Sequence, residues 1–199
     1  MKFGLALFSV LLLFLVSCRP ATPVPKPKGY YKIELPDRAY QSFAKPGYPY
    51  RFEYPVYGEI EEEAPLDASK EEEAYWINVR FPELGAKIYL SYKEVDGGEG
   101  LFHLLADHYE MTMYHSKRAD YIEDFALQRH EAGVYGGFYH VGGDAASAYQ
   151  FYATDSSRHF LRGALYFEVT PNADSLAPVH VFLRKDLEHL LKTLEWSQS

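Results

Sequence analysis

Thr154 to Phe160 reads TDSSRHF, which puts Asp155, Ser156, Ser157 and His159, the residue types of a serine-hydrolase triad, within five residues. A triad draws its members from distant segments and seats the nucleophile in a GxSxG elbow between strand and helix. This stretch has no such elbow, and Asp and Ser are what a β-turn uses to bond nearby backbone N–H groups. It is read as a turn, with no catalytic residue. Of the eight histidines, His108 and His115 share a helix face. They lie two turns, about 10 Å, apart along the axis, too far for one zinc. HExxH, HxH and a second cysteine are all absent. Gly142 and Gly143 fall in a hairpin turn and not before a helix, which argues against a phosphate cradle. The acidic block Gly58 to Ala74, with Glu59, Glu61 to Glu63, Asp67 and Glu71 to Glu73, lacks the Asp and Asn donors alternating around a glycine that a calcium loop needs. It is expected to be a solvated, mobile loop. The residues therefore predict no metal site, no cofactor and no enzyme motif.

One residue does point to chemistry. Cys18 is the sole cysteine and stands directly after Leu15-Val16-Ser17, the end of the run Gly4 to Val16, which holds only Gly, Ala, Leu, Phe, Ser and Val. That run is short of the about 20 apolar residues of a membrane span, but with Lys2 before it, it has the form of a secretory signal peptide. Its ending resembles the lipobox of bacterial lipoproteins. The resemblance implies cleavage before Cys18, with removal of residues 1–17, and a diacylglyceryl group on the Cys18 sulfur. One chain would hold marginally at about 0.8 kcal/mol per buried CH2, whereas two or three hold stably. With that sulfur occupied, the mature chain has no disulfide and stands on its core alone. Arg19 to Lys28 carries prolines at 20, 23, 25 and 27. Proline fixes φ and disfavours helix in its predecessor, so residues 18–28 form an extended tether, about 30 Å long at about 3.1 Å per residue. Residues 29–199 are expected to form a single α+β domain.

The chain of 199 residues is 47 % hydrophobic and 17 % aromatic, enough for a packed core. Its 28 Asp and Glu against 20 Lys and Arg exclude a nucleic-acid partner, whose affinity rests on basic residues neutralising phosphates.

The elements that must carry any site follow from periodicity. YYKIEL (Tyr30 to Leu35), YRFEY (Tyr50 to Tyr54), Tyr75 to Phe81 and Lys87 to Val95 alternate as strands, the last two joined across PELGA. Leu101, Leu104, Leu105, His108 and Thr112 set a helix over Gly100 to His115. YIEDFALQRHEAG leans to strand, and GGFYHV, AASAYQFYAT and HFLRGALYFEV form a meander with turns at GGD and DSSR. Leu176, Val179, Leu183, Leu187, Leu190, Leu191 and Leu194 mark a terminal helix with Asp174 or Ser175 as N-cap. Strands in runs with two packed helices predict the α+β class, with a mostly antiparallel sheet.

Several phrases together resemble the gliding-motility lipoprotein GldD family of Bacteroidetes: PKPKGYYKIELPDRAY (Pro25 to Tyr40), YPYRFEYP (Tyr48 to Pro55), WINVRFP (Trp76 to Pro82), IYLSY (Ile88 to Tyr92) and ASAYQFYATDSSRHFLRGALYFEVTPNADSLAPV (Ala146 to Val179). The resemblance implies a non-enzymatic lipoprotein that faces the periplasm, is anchored through Cys18 and is required for gliding. It further implies association with type IX secretion and protein partners among those components. The element order is also similar to the PsbP/Mog1-like α+β sandwich, an analogy of fold only. Two alternatives stand beside this reading: a lipid-anchored hydrolase, and a module binding a small apolar ligand, the latter suggested by 18 tyrosines and 13 phenylalanines.

Overall fold

Alternation of apolar and polar residues produces a sheet with two unlike faces. A computed structural model describes residues 33–62, 74–114 and 118–197, all within one compact unit, Ile33–Ser199. The strands are β1 Tyr40–Phe43, β2 Tyr50–Pro55, β3 Glu59–Glu62, β4 Ile77–Phe81, β5 Ala86–Glu94, β6 Ala119–Arg129, β7 Val134–Gly143, β8 Tyr149–Thr154, β9 His159–Phe167 and β10 Glu195–Trp196; the helices are α1 Gly97–Tyr114 and α2 Ala173–Thr193. Seven strands pair in the order β3-β4-β5-β9-β8-β7-β6, and β1-β2-β10 form a smaller sheet. Every pairing is antiparallel. The α+β class, the mostly antiparallel sheet and the two packed helices are as the sequence predicts.

One face of the large sheet is the core. Ala86, Ile88, Leu90 and Tyr92 of β5 share it with Leu161 and Leu165 of β9, and α2 contributes Val179, Leu183, Leu187, Leu190 and Leu191. Burying each such leucine stabilises the fold by about 1.5–3 kcal/mol. Glycine matters where β9 crosses β8: a Cβ on Gly163 would lie 2.2 Å from the Phe151 ring, so ring and backbone approach more closely than any side chain permits. The opposite face carries α1 over β7, β8 and β9. His108 of α1 lies 5.4 Å from Tyr139 and 5.0 Å from Tyr152 between ring centroids.

Several elements differ from expectation. Ile33 to Leu35 of the first predicted strand are irregular and exposed; alternation marks a face that could be buried, and here none of the described strands pairs with it. Tyr30 to Lys32 lie outside the described residues. Glu59–Glu62, expected to be mobile loop, is β3: Ile60 faces Val79 on β4, and Glu61 reaches Lys87 at 2.7 Å and Arg80 at 3.6 Å. Residues 63–73 of that block lie outside the described residues. The helix α1 begins at Gly97, three residues early, and His115 is outside the described residues. The N-cap of α2 is Asn172, whose side chain accepts from Ser175 N at 3.0 Å, so Asp174 and Ser175 occupy the first turn instead. There Asp174 meets the positive end of the helix dipole. The helix stops at Thr193, and Glu195–Trp196 pairs with β2, so the chain end that continues the leucine stripe is a strand.

Candidate functional site

The TDSSRHF segment assembles as a turn. Asp155 accepts from the backbone N–H groups of Ser157 at 2.9 Å, Arg158 at 2.8 Å and His159 at 2.9 Å, and from the Ser157 hydroxyl at 2.8 Å. Burial raises the Asp155 carboxyl pKa, but these bonds outweigh it and bring the carboxyl down to about 2. Ser156 sits in the left-handed region, φ 68°. The His159 ring turns away from Asp155: its Nδ1 meets the Tyr92 hydroxyl at 2.8 Å and its plane stacks on Trp196. Asp, Ser and His are thus adjacent in sequence without forming a relay. Among the described residues, no three His, Cys, Asp or Glu side chains gather as metal ligands. Cys18 and residues 1–28 lie outside the described residues.

Two other groupings were not legible as sites. The first is Asp186 on α2, 1 % exposed. It accepts from Arg38 Nε at 2.9 Å, from the Tyr40 hydroxyl at 2.9 Å and from the Tyr57 hydroxyl. Arg38 also donates to the Phe182 carbonyl at 2.6 Å and lies over its ring at 4.1 Å. Burial first, then the bond to Asp186, pushes the Tyr40 phenol up to about 12. Three donors from the segment before and around β1 and β2 thus converge on one buried carboxylate of the terminal helix. This lock fixes the N-terminal segment to the body.

The second grouping lies on the sheet face that carries α1. The register sets Ser91, Arg162 and Tyr152 in one row across β5, β9 and β8, and Asn78, Tyr89, Ala164 and Gln150 in the next. The helix covers β7, β8 and part of β9. The remainder is a cleft of about 600 Å³ lined by Trp76, Asn78, Lys87, Tyr89, Arg162 and Tyr166 among others. Trp76 is pinned by its Nε1–H donating to Tyr92 O at 2.8 Å, and Tyr89 and Tyr166 meet edge to face at 5.6 Å. Beneath α1 a second lobe of about 300 Å³ is lined by Leu104, His108, Met111 and Phe160 and shares Trp76, Ser91 and Arg162 with the first. Burial, then the Arg162 charge, lowers the His108 imidazole to about 4, so it is neutral at pH 7. The sequence signal for this site is Arg162: a lone cation in HFLRGALYF, a strand otherwise almost wholly apolar. Most of the tyrosines that suggested a ligand module are elsewhere. Tyr48, Tyr50, Tyr92 and Tyr149 are core.

The fold and the cleft define an α+β sandwich with one sealed face and one face left open beside a helix. A sequence profile described as gliding motility lipoprotein GldD matches residues 20–196, and the chain belongs to that family. It is accordingly a motility lipoprotein, a membrane-associated protein of the cell envelope. No helix among the described residues is long and apolar enough to cross a membrane. Among solved structures, the chain is similar to the solution structure of cyanobacterial PsbP (CyanoP) from Synechocystis sp. PCC 6803, at 11 % identity and TM-score 0.43, covering 86 % of this chain and 100 % of that one. A search of curated protein sequences found no significant match.

Proposed function

We propose that the protein is a lipid-anchored, periplasm-facing accessory component required for gliding and associated with type IX secretion, and that it acts by binding other envelope proteins and not by catalysis. In this reading residues 1–17 are a signal peptide, Cys18 carries lipid, residues 18–28 are a tether and residues 29–199 fold as one domain. The observation that carries it is the family match over residues 20–196, which begins two residues after a cysteine placed behind a short apolar run. Supporting the non-enzymatic reading, Asp155 and His159 are engaged in a turn and in ring packing respectively.

Metabolic labelling with a fatty-acid analogue tests the anchor. Label enters the wild-type chain and is absent from Cys18→Ala, which is released from the membrane fraction and fails to support gliding. Label retained by Cys18→Ala would sink the assignment. Single changes Asp155→Asn, Ser156→Ala and His159→Gln test the absence of chemistry: secretion and motility persist in each variant that folds normally, and their loss with normal folding would favour an active centre at that turn.

A further inference from the structure

The cleft beside α1 contains a cation that no described residue neutralises. Arg162 is half-buried; among the described residues its Nε is enclosed without a hydrogen-bond partner, and its Nη2 donates to the neutral Gln150 Oε1, at 3.3 Å. Other arginines of this acidic chain do find carboxylates: Arg38 with Asp186, Arg51 with Glu195, Arg80 with Glu61 and Arg184 with Glu188. Desolvating a guanidinium with no counter-charge costs stability, and such groups concentrate at functional sites. A second donor is stranded beside it. Gln150 is fully buried, with its Oε1 taken by Arg162 and by the Thr112 hydroxyl at 3.4 Å, and its Nε2 makes no bond.

The surroundings specify what would answer that charge. Two parallel acceptor oxygens fit a guanidinium, which makes carboxylate a natural partner. Lys87 and Glu168 line one lobe and Lys93 and Asp107 the other, so these charges offset one another and Arg162 is the one cation in excess, which suits a singly charged anion. Trp76, Leu104, Met111 and Phe160 give the lobe under the helix an apolar wall adjoining Arg162. We propose that the bilobed cleft binds a small amphipathic carboxylate, its carboxylate on Arg162 and its apolar body against Trp76, Leu104, Met111 and Phe160. The inference is independent of the role in gliding.

The test uses the full chain in nanodiscs, with 4-phenylbutyrate as the probe, followed by saturation-transfer NMR and by tryptophan fluorescence against empty nanodiscs. The proposal expects saturable binding at least tenfold tighter than that of 4-phenylbutanol, acetate or inorganic phosphate. Arg162→Gln weakens binding at least tenfold while its thermal midpoint stays level or rises, because an uncompensated charge has been removed. Leu104→Trp, which fills the apolar lobe and leaves Arg162 in place, also weakens it. Absence of saturable phenylbutyrate binding, binding unchanged in Arg162→Gln, or acetate or phosphate binding as tightly as phenylbutyrate would each overturn the proposal.

Discussion

Replacing Asp186 by alanine withdraws the one acceptor shared by Arg38, Tyr40 and Tyr57. The acceptor is 1 % exposed, so water cannot readily take its place on all three donors, and a guanidinium is left facing α2 without its counter-charge. Removing one partner of a buried ion pair costs about 3–5 kcal/mol, whereas each neutral hydrogen bond contributes about 1 kcal/mol. For a domain of this size about 1 kcal/mol moves the melting midpoint by roughly 2–4 °C. Asp186→Ala is therefore expected to melt about 6–20 °C lower, while Tyr40→Phe and Tyr57→Phe each fall by only a few degrees. Thermal denaturation followed by circular dichroism measures the shift. Limited proteolysis locates it, because the segment before β1 loses its attachment to the terminal helix and becomes cleavable near Arg38. A fall of less than about 3 °C in Asp186→Ala, with cleavage near Arg38 unchanged, would refute the reasoning that this carboxylate holds the N-terminal segment in place.

Other expected outcomes concern the turn, the cleft and the core. Asp155, held down to about 2 in the fold, contributes stability that is present above the usual carboxylate range near pH 4 and is lost as pH falls toward 2. Urea melts between pH 5 and pH 2 should show that loss, and Asp155→Asn should remove it. His108, lowered to about 4 by burial, works in a different window. Its neutral form is the folded one, so stability is full above about pH 6.5 and declines by about 3 kcal/mol as pH drops toward 4. His108→Leu should flatten that part of the profile, and an unchanged slope would show that the ring is not the cause. Gly163→Ala drives a methyl to within 2.2 Å of the Phe151 ring; overpacking of this kind costs about 1–3 kcal/mol, read as a lowered denaturation midpoint, and an unaltered midpoint would mean that the ring moves aside freely.

The contrast between strands that were legible in the sequence and those that were not has a physical basis. β5, β8 and β9 alternate or run apolar because both their neighbours and their buried face are present, so local pattern and tertiary burial agree. YYKIELP alternates equally well, yet Ile33 and Leu35 are exposed, since alternation cannot reveal whether a partner strand exists. β3 shows the converse. Its glutamates suggest solvated loop, but Glu61 is stabilised by cross-strand cations on β4 and β5, a pairing invisible to composition. The hairpins at PELG and HEAG are closed by the same device, a single 3-10 turn ending in a left-handed Gly85 or Gly133, so the ambiguous YIEDFALQRHEAG segment carried in its last four residues the signal that ends a strand. Asp186 lies within the leucine-rich stripe of α2 and looks in sequence like any helix-surface carboxylate. Only the return of Arg38, Tyr40 and Tyr57 from far along the chain shows it to be interior. The cleft was hidden for the same reason: Trp76 just before β4, Tyr89 of β5, His108 of α1 and Arg162 of β9 are far apart in the chain.

Cys18 is the proposed attachment point to the membrane. Intact-mass spectrometry of the protein extracted from native membranes reads this directly. The expected species begins at Cys18 and carries a diacylglyceryl mass on that residue, with the remaining chain unmodified. A membrane-extracted protein that retains residues before Cys18, or that begins at Cys18 without lipid, would contradict it.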